Sequence, residues 1–368
     1  LKTTLATREA DVEKGIDRIR QEIDSIDDEI VDLLARRASC ARAIGEFKRA
    51  ASLGMHAPER ERQVVERLAA RATADLPREG VASVFREIMS VCLRLEEPLR
   101  VACLGPGTTF SHLAMQKVFG VGAAAVSEAT LDLVFDAVER GRAHYAVVPF
   151  ENSTEGSVNA TLRRLVQTPA RVAAQCYLRV EHELASRASS LEGVSVVYSH
   201  PQALGQTRRW LAEHLPQAEL RETQSTSSAC RHAADEEGAA AVCSVASALE
   251  HGLRLLARSI HDVQGNETRF LVLAPAPLYA ARPDDVTSVV FSVPDTSGSL
   301  AATLAVFTRH GVNLSKLQSV PDGTRPWNAL FWLDATMSET DSRLSAALQE
   351  LSGLTTSLRV LGSYPTLR

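Results

Sequence analysis

Residues 100–112 read RVACLGPGTTFSH, and the fold turns on this run. RVACL has the length and apolar character of a buried strand, and Gly-Pro-Gly stops it. Downstream, short strand-like runs alternate with helical stretches: YAVVPF (145–150), VSVVYS (194–199), AAAVCS (239–244) and RFLVLA (269–274), with helices expected over 130–141, 202–215 and 226–237. Such alternation predicts an α/β fold with a mostly parallel sheet. PAPLYAARPDD (275–285) reads as a proline-rich linker. The tail from 286 then gives strand, helix, strand, strand, helix, strand, with strands at VTSVVFSV, VNLSKLQS, WNALFWLDA and SLRVLGSY. This βαββαβ order is ferredoxin-like α+β.

Upstream of Leu99 no strand is signalled. Apolar residues recur at Val12, Ile16, Ile19, Ile23, Ile26, Ile30 and Leu33, then at Cys40, Ile44, Phe47 and Ala51. Steps of four and three form a heptad seam, so 12–51 reads as one helix. Forty helical residues span about 60 Å and need a partner along that length, such as a second copy of the chain. Pro58 opens a second helix over 59–72, and a third runs over 78–97. The expected domains are therefore 1–97 (all-helical), 99–275 (α/β, two-lobed), the linker 276–285, and 286–368 (ferredoxin-like).

Composition narrows the function. The 45 acidic and 40 basic residues leave a net charge of −5, with no basic footprint for nucleic acid. No apolar run reaches the length of a membrane span. The six cysteines lack CxxC spacing, so zinc and redox motifs are not expected and a reduced, cytoplasmic setting is. No metal or cofactor is called for. No G-x-G-x-x-G follows a strand, which argues against a dinucleotide-binding dehydrogenase.

In the helical domain Arg37 interrupts the apolar seam, and Lys48 lies about 20° from the same helix face and about 16 Å further along. Two cations so placed can converge on a small dianion. Arg20, about 26 Å before Arg37, reaches such a site only from another chain. Arg60 and Glu61 begin the second helix, and Cys92 and Glu96 share one face of the third. In the α/β domain, polar clusters fall near strand ends, where open sheets bind ligands: GPGTTFSH, PFENSTEGSVN (149–159), SHPQALGQ (199–206) with STSS (225–228), and NETRF (266–270). Each alone could be a turn or a helix cap.

The run IRQEIDSIDDEIVDLLARRASCARAIGEFKR, with APERE (57–61) after it, resembles the all-helical chorismate mutase domain. ENSTEG, SHPQALGQ and NETRF resemble the prephenate dehydratase domain, and the whole chain resembles the bifunctional chorismate mutase–prephenate dehydratase family of phenylalanine biosynthesis. The resemblance implies a homodimer or higher homo-oligomer whose mutase substrate, chorismate, is bound by Arg20 of the other subunit, Arg37, Lys48, Arg60, Glu61, Cys92 and Glu96. Arg37, Lys48 and Glu96 would act in catalysis, with Lys48 and Glu96 near the breaking ether oxygen. This sequence has Ala57, Cys92 and Glu96 where one common version of the pattern has aspartate, serine and glutamine.

For the dehydratase the resemblance implies Thr268 as the essential residue and Thr109, Ser111, Asn152, Ser153, Gln202, Ser225, Thr226, Arg269 and Phe270 at the prephenate pocket. His200 and Glu151 are titratable alternatives for the proton donor. Gly107 and Thr108 replace the family's Glu-Gly in GPEGTFS. The tail resembles an ACT domain, implying an L-phenylalanine effector near Gly298, Leu300 and Ser319. Gln318 and Val320 stand where the family's Glu-Ser-Arg-Pro has its charges, which predicts weakened sensing. A metabolite sensor with degenerate modules, and a dehydratase acting on arogenate, are the alternatives.

Overall fold

The computed structural model describes residues 2–51, 56–96, 98–105, 107–321 and 329–367, with side chains except at 2–12, 49, 96, 320, 321 and 329. The chain divides into two compact units, Leu1–Pro98 and Leu99–Arg368.

Among the described residues the first unit has helices and no strand, the helices being Lys2–Ala50, Pro58–Ala69 and Arg78–Glu96. The long helix begins ten residues before the apolar seam, because KTTLATREAD contains neither glycine nor proline to stop it. Proline at the first turn starts the second helix. Ala41, Ala69, Val81, Met89 and Cys92 form the small buried core. Ile16, Ile19, Ile23, Ile26, Ile30 and Leu33 stay between 44% and 58% exposed, so one chain leaves most of its seam uncovered.

The described residues of the second unit form three sheets. The first runs in the order Thr366–Leu367, Arg171–Arg179, Glu267–Ala274, Tyr145–Asn152, Arg100–Leu104, Ala124–Glu128, with the short strand Gly156–Ser157 folded back on Tyr145–Asn152. The second runs Arg254–Ala257, Glu183–Ser186, Ala239–Cys243, Val196–Ser199, Glu219–Glu222. Both are mixed rather than mostly parallel, and the reason is the two-lobed path. The chain leaves the first sheet along Arg171–Arg179 and returns along Glu267–Ala274, and these strands pair antiparallel. Its entry and exit strands in the second lobe, Glu183–Ser186 and Arg254–Ala257, do the same. Seven described strands of these two sheets escape the sequence pattern, among them the polar edge strand ELRE at 219–222.

The tail forms an antiparallel sheet in the order Leu314–Pro321, Ala329–Ala335, Val286–Ser292, Ser357–Tyr364, the βαββαβ arrangement. Alternation along its strands divides the side chains. Phe291 and Leu333 pack with Phe307, Leu344 and Leu351 of its helices. Val290, Trp332, Leu361 and Tyr364 instead join the core of the first lobe around Phe135, Phe150 and Leu165. At this junction a Cβ on Gly362 would fall 2.0 Å from the Val172 carbonyl oxygen, so only glycine permits the approach.

Candidate active sites

In the helical unit, Arg37, Lys48, Arg60, Glu61 and Cys92 line one cavity of about 400 Å³. Ile44, Val64, Met89 and Leu93 supply its apolar wall. Arg20 lies outside this cavity and is an exposed residue 3.4 Å from Asp17 of its own helix. The Glu96 side chain falls outside the described residues.

The second unit carries a pocket of about 600 Å³ between its lobes. The motifs meet there by strand register. Thr268 pairs with Asn152 across adjacent antiparallel strands, so the ends of NETRF and ENSTEG share one face. From the first lobe, Thr109, the N-cap of helix Phe110–Phe119, and Ser111 also reach the pocket. Opposite them lie Gln202, His200 (N-cap of helix Pro201–Gln206), and Ser225 and Thr226 at the start of helix Thr226–Asp235. Phe110, Leu131 and Phe270 give the pocket its apolar surface.

A hydrogen-bonded chain fixes the polar atoms. Asn152 Oδ1 accepts from the backbone N–H groups of Thr154 (3.0 Å) and Glu155 (3.2 Å). Backbone amides only donate, so the amide orientation of Asn152 is settled. Its Nδ2 must then donate to Thr268 Oγ1 (2.9 Å) and Asn266 Oδ1 (2.7 Å). Thr268 therefore uses a lone pair on Asn152, leaving its O–H to donate elsewhere. Asn266 Nδ2 donates to Gln206 Oε1 (3.1 Å), and Gln206 Nε2 donates to Glu155 Oε1 (2.7 Å).

Two expected pocket residues lie elsewhere. Arg269 is on the opposite face of its strand from Thr268 and Phe270, as alternation requires. Its guanidinium is buried against the ferredoxin-like module: Nη1 donates to Asp334 Oδ2 (2.7 Å), Nη2 to Tyr364 Oη (3.2 Å), and it lies 4.8 Å from the Phe150 ring centre. Ser153 is exposed in the hairpin turn, its Oγ accepting from the Glu267 N–H (3.0 Å). Glu151 is also engaged, in an ion pair of 2.5 Å with Lys316. His200 Nδ1 accepts from the Gln202 N–H (3.3 Å), which leaves Nε2 of the neutral ring as a donor.

Two ionisable pocket residues carry no motif signal. Arg231 is the one guanidinium on the wall, and among the described residues lining the pocket there is no carboxylate. It lies six residues after Ser225, on the helix that begins there. His182 opens the buried strand region between the lobes and is 2% exposed. Burial pushes its imidazole below the usual histidine range. In the altered GPGTTFS loop, Thr108 adopts a left-handed φ of 63°, and its hydroxyl lies 2.7 Å from Glu250 Oε2 of the other lobe.

Of the residues expected for regulation, Gly298 takes a φ of 84° and opens helix Ser299–Arg309. Leu300 is half-buried beside the module's core, and Ser319 is exposed. Gln318 Oε1 accepts from Ser157 Oγ of the hairpin that carries Asn152. Val320 and Pro321 side chains fall outside the described residues.

Family models for chorismate mutase type II, prephenate dehydratase and the ACT domain match residues 19–97, 101–277 and 287–353. A bifunctional chorismate mutase/prephenate dehydratase from Aquifex aeolicus is 42% identical, covering 94% of this chain and 97% of its own. The chain belongs to this bifunctional family. The Neisseria gonorrhoeae relative of the same name is 39% identical, over 94% of this chain and 96% of its own. The prephenate dehydratase of Arthrobacter aurescens, solved in complex with L-Phe, is 33% identical with a TM-score of 0.67, over 72% of this chain and 90% of that one. Mutase, dehydratase and ACT modules thus follow one another along a single enzyme of phenylalanine biosynthesis. No helix among the described residues is long and apolar enough to cross a membrane.

Proposed function

We propose that the interlobe pocket binds prephenate and that Thr268 donates its hydroxyl hydrogen to the hydroxyl group that leaves. The observation carrying this reading is the Asn152 amide, whose anchored orientation makes Thr268 an acceptor towards Asn152 and a donor towards the pocket. The electron pair of the breaking carbon–carboxylate bond flows into the ring, CO₂ departs, and the C4 hydroxyl is expelled as water, the one proton this consumes coming finally from solvent so that the Thr268 hydroxyl is restored. Phenylpyruvate remains. Arg231 and the starts of helices Phe110–Phe119 and Thr226–Asp235 favour the side-chain carboxylate, while Phe110 and Phe270 offer the departing carboxylate an apolar setting. His200 Nε2 is a second donor on the wall. Arogenate carries an ammonium where prephenate has a ketone, and the pocket's lack of a described carboxylate favours prephenate.

The helical unit supplies that substrate. Arg37, Arg60 and Lys48 around one cavity suit the chorismate dianion, and holding its compact conformer is the main demand of a pericyclic shift. Arg20 completes the site from a second subunit, whose long helix covers the exposed isoleucine seam. A protonated Glu96 would donate to the ether oxygen, since a carboxylate only accepts. L-Phenylalanine is the effector of the ACT module, and the cytoplasm is the enzyme's compartment, as six unpaired cysteines suggest.

The test is Thr268→Ala. Phenylpyruvate formation should fall by at least about 100-fold, in the range of a lost transition-state donor, while chorismate consumption stays near wild type. Equal loss of both activities would refute the assignment.

A further inference from the structure

We propose that His182 binds the substrate's C4 hydroxyl, its Nδ1 accepting that group's hydrogen and turning the oxygen's lone pairs towards Thr268. This deepens the reading of the interlobe pocket as the prephenate site and rests on it.

The tautomer of His182 follows from its neighbours. Gln206 Oε1 faces Asn266 Nδ2, an orientation dictated through Asn266 and Asn152 by two backbone N–H groups. His182 Nε2 lies 2.8 Å from that same oxygen and must therefore carry the hydrogen. The ring stays neutral because burial disfavours its charged form. Nδ1 is left as a lone-pair acceptor. It is buried and has no hydrogen-bond partner among the described residues, although His182 lines the pocket. Phe110 packs edge-on against the ring at 5.8 Å and holds its plane.

An unpaired buried acceptor on a residue that lines a ligand pocket can be satisfied by a donor from the ligand. Prephenate at neutral pH has two carboxylates and a ketone, all acceptors, and one O–H. Hydroxyl side chains on the wall can donate or accept by rotating, whereas a neutral imidazole with Nε2–H can only accept at Nδ1. Asn152 Oδ1, another candidate acceptor, already receives three donors from Thr154 and Glu155. Nδ1 is thus matched to the single donor of the substrate. The match also orients the reaction: with its hydrogen on His182, the C4 oxygen presents lone pairs to the Thr268 hydroxyl. The contact forms in the bound substrate and disappears with the departing water, so it belongs chiefly to KM.

Two variants and one spectrum test this on the full chain. Glutamine at position 182 can still reach Gln206 but lacks an atom at the Nδ1 position, whereas asparagine keeps an acceptor there. His182→Gln should raise the prephenate KM about 10- to 100-fold, the effect of leaving one buried donor unpaired. His182→Asn should recover most of that loss. Inhibition by phenylpyruvate, which lacks the C4 hydroxyl, should be unchanged in both. A parallel rise in the phenylpyruvate inhibition constant would overturn the proposal, showing that His182 only shapes the pocket. Should either variant fail to fold, ¹⁵N-histidine NMR of Thr268→Ala decides: prephenate should shift the His182 Nδ1 resonance in the direction of an accepted hydrogen bond, and phenylpyruvate should not. An unmoved resonance under saturating prephenate would refute it. Wild-type protein that turns over no prephenate would instead sink the underlying assignment of the pocket.

Discussion

Removing the Asp334 carboxylate should damage the dehydratase unit from inside the ACT module. Arg269 and Asp334 have side chains only 8% and 1% exposed, so water screens their attraction weakly. Asp334→Ala leaves the guanidinium buried with Tyr364 Oη and the Phe150 ring face as its remaining partners. It also strips Ser288 Oγ and Trp332 Nε1 of their shared acceptor, Asp334 Oδ1. Breaking one side of a buried pair costs about 3–5 kcal/mol. The surviving hydrogen bond and ring contact place this case near the lower end, at about 3 kcal/mol. For a unit of this size, that lowers Tm by about 6–12 °C. Arg269→Met/Asp334→Leu should recover most of the loss, because an apolar pair of similar volume avoids burying charge at all. The assay is thermal unfolding of wild type, Arg269→Met, Asp334→Leu and their double variant as a double-mutant cycle, with Asp334→Ala alongside, and residual dehydratase and mutase activities after heating. A Tm change below about 1 °C for Asp334→Ala, or a double variant as unstable as the sum of the singles, would refute this account.

Arg231→Gln should raise the prephenate KM about 10- to 100-fold with a smaller change in kcat, since a charge-assisted bond to a carboxylate is present before and during the reaction; steady-state kinetics give the split. Mixing inactive Arg20→Ala and Lys48→Ala chains should restore mutase activity through hybrid dimers with one intact site, and no recovery under conditions of subunit exchange would argue against a shared site. L-Phenylalanine should inhibit the dehydratase only weakly, because Gln318 and Val320 replace charged groups of the expected regulatory loop; a titration showing low-micromolar inhibition would contradict this.

The three modules were legible in the sequence because each announces itself by periodicity: a heptad seam, strand–helix alternation, and βαββαβ order. Thr268 and Asn152 were legible as motif residues, and strand register explains why two motifs more than a hundred residues apart serve one pocket. Arg269 was misplaced because a motif is read as a unit while a strand sends neighbours to opposite faces. Only the docking of the ACT sheet shows what its other face meets. His182 and Arg231 were missed for a different reason. One histidine before a buried strand, or one arginine two turns into a helix, has no spacing that separates it from structural residues. A usable hint for Arg231 was its position at i+3 from Ser228, which puts it on the face of a helix whose start is rich in hydroxyls. The mixed sheets were hidden because sequence alternation does not reveal where a chain crosses between lobes.

The strand Glu267–Ala274 lies between two strands that precede it by roughly a hundred residues, Tyr145–Asn152 and Arg171–Arg179. The second lobe is thus a long excursion inserted before the first sheet is filled. During synthesis the ribosome releases the flanking strands well before their central partner, and each then presents an unpaired hydrogen-bonding edge. Closing so long a loop adds little to its equilibrium cost, because loop entropy grows only logarithmically. Its weight falls on rate, since pairings distant in sequence form late and leave apolar edges open meanwhile. Assembly of the dehydratase should therefore wait on Glu267–Ala274, and the nascent chain before residue 274 is the species most in need of protection from aggregation.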